Sequence, residues 1–312
     1  MVDYDVIVIG GGSAGLNAAL VLARARRTTL VLDHGEPRNG SATAVHAFIG
    51  AEGLSPRALI ARGRDEVRAA GGEVTPGRVL DVRSDADGFT VAWDGGPAKR
   101  SRRLVIATGA SDQLPNIPGI RERWGRDVLH CAYCHGAEIA DQPIAVLGTG
   151  PVSVSHALTF RRLASSTTLV LDGRWQPTPD EAAQLSALDV RIVPGPIEGL
   201  IVVDDRLRGV LVQGARLSVD ALVVRPLVTP RLEAVAALGL QVVDHPLGSA
   251  VAADDRGMTT VPGVWAAGNV TDPSAKVVMA ASAGAKTGIA IDGELLAAEA
   301  YEALPHARAT SY

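Results

Sequence analysis

The sequence predicts an α/β fold built on two βαβ units, and three observations predict it. Asp5 to Ile9 and Pro143 to Leu147 are short runs dominated by Val, Ile and Leu. That composition suits strands buried on both faces of a parallel sheet. Each run ends directly in a Gly-rich loop, Gly10-Gly11-Gly12-Ser13-Ala14-Gly15 and Gly148-Thr149-Gly150-Pro151-Val152-Ser153, and each loop leads into a helical pattern. At 312 residues the chain is long enough for two domains with a sizeable core.

The first loop is G-x-G-x-x-G with a strand before it and a helix, Leu16 to Arg26, after it. Gly10 permits the tight turn, Gly12 lets the backbone approach a pyrophosphate, and Gly15 lets the helix pack on the sheet. The helix N-terminus then offers amide donors and a dipole to the anion. The next strand, Thr28 to Leu32, ends at Asp33, an acid placed to accept from a ribose diol. Residues 35–50 are rich in turn formers, and a helix is expected from Pro56 to Ala70. Residues 78–105 read as an antiparallel meander of Val79 to Val82, Phe89 to Trp93 and Leu104 to Ile106, with turns at Asp87-Gly88 and Asp94-Gly95-Gly96. The last of these runs continues into Ala107-Thr108-Gly109.

The second loop is G-x-G-x-x-S, followed by an expected helix, Val154 to Leu163, and strand, Thr168 to Leu171. Pro151 removes an amide donor from it. Residues 263–272 form a further strand and polar loop, ending the strand at Gly268, before a small-residue helix over Ala280 to Ala298.

The two cysteines of the chain sit in Leu129-His130-Cys131-Ala132-Tyr133-Cys134-His135-Gly136. Three readings compete for Cys131 and Cys134. A zinc site needs four ligands, and His130 and His135 are sequence-adjacent to the cysteines, which makes a tetrahedral arrangement awkward. Two inert buried thiols are a second reading. A redox-active pair, with imidazoles to move the protons of thiol–disulfide exchange, is the reading adopted, and no metal is expected.

Composition excludes other classes. Apolar residues make up 47%, charged residues 21% and aromatics 4%, with net charge −4 and dispersed basic residues. Neither an electrostatic footprint nor a stacking platform for nucleic acid is present. The N-terminus lacks signal-peptide features, and no apolar run approaches the roughly 20 residues that span a bilayer. A cytoplasmic protein with no membrane association is expected, where a lone Cys pair is catalytic or metal-binding more often than a structural staple.

Taken in order, these motifs resemble the low-molecular-weight thioredoxin reductase group of flavoproteins over residues 1–305. The resemblance implies two Rossmann-like domains of three-layer ββα type, the second inserted into the first. Their expected extents are 1–113 plus 245–312, and 114–244. It implies FAD, lined by Gly10, Gly12, Ser13, Ala14, Gly15, Asp33, His34, Arg38, Asn39, His46, Ala107, Thr108, Gly109, Gly268, Asn269, Lys276 and Val277. Asn269 stands where the group has Asp, and its carbonyl can still accept. The resemblance also implies a homodimer, with Cys134 as the flavin-facing thiolate and Cys131 as the interchange thiol.

Two departures narrow the reading. NADPH-dependent members carry a His-Arg-Arg cluster where this chain has Leu171-Asp172-Gly173-Arg174, and Asp172 repels a 2′-phosphate. Those members follow the second Cys with Asp-Gly, whereas here it is His135-Gly136. C-x-x-C-H-G is similar to the flavin-dependent dithiol oxidases of the gliotoxin and holomycin type, which pass electrons to O2. An imidazole exchanges thiol protons well near neutral pH, and His130 is a candidate assistant to His135. The expected function is oxidation of a small-molecule dithiol, with NAD(P)H unused and H2O2 as product. The alternatives are an NAD(P)H-dependent thioredoxin reductase, a ferredoxin-linked disulfide reductase and a flavin-bound redox sensor.

Overall fold

The chain is described by a computed structural model over residues 2–309. It opens with β1 (Tyr4–Ile9), α1 (Ser13–Arg24), β2 (Thr29–Asp33), α2 (Pro56–Ala69) and β3 (Glu73–Pro76). The meander follows as β4 (Val79–Asp85), β5 (Gly88–Trp93) and β6 (Lys99–Ile106), then β7 (Ala110–Gln113). Next come α3 (Ile120–Arg123), β8 (Val128–Leu129), α4 (Ala132–His135), β9 (Pro143–Gly148), α5 (Val152–Arg161), β10 (Ser166–Leu171), α6 (Pro179–Ala187) and β11 (Val190–Pro194). The hairpins β12 (Ile197–Val203), β13 (Arg206–Val212) and β14 (Ala215–Leu217) precede β15 (Ala221–Val223) and β16 (Leu227–Pro230). A 3-10 turn (Glu233–Leu238), β17 (Val242–His245), β18 (Gly248–Val251), β19 (Val264–Ala266) and α7 (Val277–Ala309) complete the order.

Two compact units result: residues 1–38, 56–111 and 228–312 form the first, and 39–55 with 112–227 the second. The outward crossing falls within β7. The return comes at 228, ahead of the 245 expected, because β16 already pairs with β18, which pairs in turn with β17. Residues 39–55, expected within the first domain, group with the second unit.

In the first unit the strand order is β3-β2-β1-β6-β5-β4, with β19 paired to β6. β1 runs parallel to β2 and β6, and β19 parallel to β6, in the register Ile9↔Ile106↔Ala266. Alternation explains the unbroken apolar run of β1. Ile7 and Ile9 face a layer that includes Val82, Phe89 and Val91 of the meander. Val6 and Val8 face helical residues Leu16, Ala19, Leu22, Val67, Ile291 and Leu295. α7 packs so closely on α1 that a Cβ at Gly284 would lie 1.9 Å from the Ala14 carbonyl oxygen. It also runs past the expected Ala298, tied by Glu299 to Arg27 at 2.6 Å and Arg102 at 2.8 Å.

The second unit is built on a parallel sheet ordered β11-β10-β9-β15-β8. Ile144, Val146, Leu169 and Leu171 pack toward α5 residues Val154, Ala157 and Phe160. Ala145, Leu147 and Val170 pack toward Leu207, Val210 and Val212 of β13. The three-stranded sheet β12-β13-β14 was not read from the sequence. α6 is set by a capping box between Thr178 and Glu181 with Pro179 in its first turn.

Candidate active site

In the first unit the C-terminal ends of β1, β6 and β19 lie side by side, and ligands of open parallel sheets bind beyond such ends. The loop after β1 is shaped for a close approach. Gly10 has φ of 104°, and a Cβ there would meet the Ala107 carbonyl oxygen at 2.3 Å. A Cβ at Gly15 would stand 1.9 Å from the Gly10 carbonyl oxygen, yet one at Gly12 would meet no atom within 4 Å. Gly12 caps α1 without a side-chain hydrogen bond, and no acid occupies the first turn. The amides of Ser13, Ala14 and Gly15 therefore present positive partial charge to open space, the requirement for a pyrophosphate.

The rest of this unit's predicted set surrounds that loop. Asp33 is buried and paired with Arg64. Thr108 has a buried hydroxyl without a hydrogen-bond partner among the described residues; leaving such a group unsatisfied costs about 1–3 kcal/mol, so it suits a ligand's polar edge. Gly268, at φ 87°, brings its backbone against Ala14, where an added Cβ would lie 2.8 Å from the Ala14 Cβ. Asn269 gives both amide protons to loop carbonyls, Asp272 and Ala275, each at 3.0 Å. The group left toward a ligand is its carbonyl oxygen, the acceptor expected from the sequence. Arg38 donates to the Pro273 carbonyl at 2.8 Å. Lys276 is depressed below the usual lysine range by burial, then by Arg38, against the opposing Asp272. Val277 opens α7, and His34 lies 3.3 Å from Glu36. Glycine cradle, orphaned hydroxyl and cationic loop together fit FAD.

Asn39 and His46, predicted in the same set, belong to the second unit with the cysteines. Cys131 and Cys134 form a disulfide across the turn of α4, with Cα atoms 5.3 Å apart. The turn is closed by His135 N–H donating to the Cys131 carbonyl at 3.1 Å. Gly136 is required behind it, since a Cβ there would meet Ala132 O at 2.2 Å and Leu163 Cδ1 at 2.4 Å. Cys131 is only 5% exposed while the intervening Tyr133 is 77% exposed.

Both ring nitrogens of His135 are buried without a hydrogen-bond partner among the described residues. Burial lowers its pKa, Glu138 opposes that, and His46 adds to it. The ring is therefore neutral near pH 7 and ready to accept a proton. His130 stacks on Trp124 at 5.4 Å between centroids. Glu138 and Glu52 were missed by the sequence reading. An acid three residues past His135 was visible there; its junction with His46, at 2.5 Å, was not.

The second Gly-rich loop shares with the first the open space at its middle glycine, Gly150, and a helix without a side-chain cap or first-turn acid, and differs in its other contacts. Thr149 N–H is spent on Ser153 Oγ at 3.1 Å, and Pro151, which has no N–H, caps α5. At the end of β10, Asp172 has a side chain 8% exposed and accepts from Arg174 N at 3.0 Å and Nε at 2.8 Å. Arg161 donates to the Leu188 carbonyl at 2.9 Å and the Ala164 carbonyl at 3.2 Å. Arg161 is thus held near the start of β10, at the opposite end of the strand from Asp172.

A family model described as pyridine nucleotide-disulphide oxidoreductase matches residues 4–288. A thioredoxin reductase from Aquifex aeolicus is 30% identical over 301 residues, covering 93% of this chain and 92% of that protein. Thioredoxin reductase tcpT of Claviceps purpurea is 33% identical over 178 residues, about half of each chain at 54% and 56%. The crystal structure of HlmI superposes with a TM-score of 0.89 at 43% identity, covering 99% of this chain and 97% of that one. Among the described residues no helix is long and apolar enough to cross a membrane.

Proposed function

The chain belongs to the pyridine nucleotide-disulphide oxidoreductase family, as a thioredoxin-reductase-like, flavin-dependent redox enzyme, and from that premise we propose that it is a dithiol oxidase. Its substrates are a small-molecule dithiol and O2, and its products are the cyclic disulfide and H2O2. FAD, held by the Gly10–Gly15 loop, Asp33, Thr108, Asn269, Arg38 and Lys276, supplies the two-electron acceptor and the reaction with oxygen.

The observation that carries this direction of electron flow is the Asp172–Arg174 pair. A 2′-phosphate is recognised by arginines that are free to pair with it. Here the arginine at the strand end is exposed and pairs with Asp172, whose carboxylate stands where a phosphate-binding arginine would be wanted; this supports weak recognition of a 2′-phosphate. The Thr149 amide, bonded to Ser153, is one donor fewer for a nucleotide, and in this reading a dithiol is the electron source.

Exchange then proceeds on the cysteines. The substrate's first sulfur bonds to Cys131 as the Cys131–Cys134 bond breaks and the electron pair leaves on Cys134. The second substrate sulfur closes on the first and releases Cys131. His135, buried and neutral, receives the thiol protons. We place the enzyme in the cytoplasm as a homodimer, a state supported by the exposed apolar side chains of α7, Met279, Ile289 and Leu296. Replacing Cys134 tests the route: Cys134→Ser should lose turnover while retaining bound flavin, and dithiol oxidation surviving in that variant defeats the proposal.

A further inference from the structure

Beside the cysteine turn, three ionisable groups from two segments of the second unit meet. His46 has Nδ1 2.5 Å from Glu52 Oε1 and Nε2 2.5 Å from Glu138 Oε1. Glu52 accepts the Ala47 amide at 2.9 Å through its other oxygen. Ala47 itself has φ of 57°, a left-handed backbone that alanine adopts only when its surroundings impose it. A strained segment thus delivers the His46 ring to Glu138, three residues past His135.

Exchange with a dithiol releases two protons, and the turn presents one buried base. As the first substrate sulfur bonds to Cys131, its proton passes to His135 and the electron pair of the broken disulfide stays on Cys134. As the second substrate sulfur bonds to the first, its proton also needs a base and the electron pair leaves on Cys131. The substrate loses two electrons and two protons; the cysteine pair gains both electrons. His135 must therefore discharge once within each exchange, and neither of its nitrogens has a fixed hydrogen-bond partner among the described residues.

We propose that Glu138, oriented by His46 and Glu52, is the positioning carboxylate that stabilises the protonated ring of His135 through space, so that the ring can hold each thiol proton until solvent takes it. The inference rests on the dithiol-exchange reading of Cys131 and Cys134. The charge balance agrees. Glu52 is held below its ordinary range by His46, and His46 is raised by its bond to Glu52 and by Glu138. Two carboxylates and one imidazolium leave a net negative charge, which a second imidazolium at His135 neutralises. The groups acting on His135 are Glu138 from its own turn and His46 from the 39–55 segment, with opposite signs.

Those opposite signs make the test. Dithiothreitol is mixed anaerobically with the flavin-loaded protein, and the bleaching rate is measured against pH. The acid limb of the profile reports His135. Glu138→Gln removes the attraction, so the limb should move to lower pH while the plateau falls about tenfold. His46→Asn removes the repulsion and should move the limb to higher pH. Limbs that stay in place while plateaus fall describe a packing defect and overturn the proposal. If either variant is recovered without flavin, NMR titration of the His135 ring carries the same comparison, and an unmoved titration overturns it equally. Failure of dithiothreitol to bleach the wild-type protein defeats the exchange reading itself, whereas bleaching with unmoved limbs defeats this inference alone.

Discussion

His135 and His46 lie in one cluster and are pushed in opposite directions. Burial holds His135 low, while bonds to Glu52 and Glu138 hold His46 high. Their contributions to stability therefore have opposite pH dependence. The His46 clamp is fully present below the ordinary imidazole value of about 6.5 and fades as pH rises through its elevated folded value. The His135 burial is tolerated above about 6.5 and weakens the fold as pH falls, because only the unfolded chain takes up that proton. His135→Gln should accordingly gain on the wild type as pH drops from about 7 to 5, read from urea midpoints; a constant difference would contradict the assignment. The same variant should slow dithiol-driven flavin reduction at neutral pH by roughly 100-fold, the scale of a lost general base, with flavin content unchanged. His135 was legible in the sequence as the residue after the second Cys. Its carboxylate environment was not, because His46 and Glu138 lie far apart in the chain and only the tertiary fold brings them together.

At the scale of elements, the strand–loop–helix unit of residues 4–24 reads directly from sequence because its determinants are local. A β-branched strand, glycines at the points of closest approach and an alanine-rich helix each obey short-range rules. Gly15→Ala should lower stability by about 2 kcal/mol, the usual scale of overpacking, and should weaken flavin retention, since its Cβ would meet the Gly10 carbonyl oxygen at 1.9 Å. Visible absorbance of the purified variant and its thermal midpoint check both; full flavin occupancy would show that the loop yields more easily than its packing implies. Elements held by distant partners were harder to read. β12 to β14 pair through a hairpin with shifted register, and their apolar residues alternate poorly. The α7 turn that carries Glu299 depends on Arg27 and Arg102, residues far earlier in the chain.

Across the whole molecule, two Gly-rich cradles have diverged within one chain. The first combines open amides with an orphaned hydroxyl and a cationic loop; in the second the Thr149 amide bonds to Ser153 and Arg174 pairs with Asp172. The altered second loop and the acid at Asp172 were visible in the sequence, but the pairing of Arg174 with Asp172 needed coordinates. Likewise the return of the chain to the first unit at 228 is fixed by the pairing of β16 with β18, which no local pattern announces. This asymmetry supports the proposal that electrons enter from a dithiol. Anaerobic stopped-flow absorbance at the flavin band, with NADPH and a small dithiol mixed separately, tests it most directly. Bleaching by the dithiol alone is expected, with the colour returning and one H2O2 formed per disulfide when air is admitted. Rapid bleaching by NADPH would contradict it and make the protein a reductase.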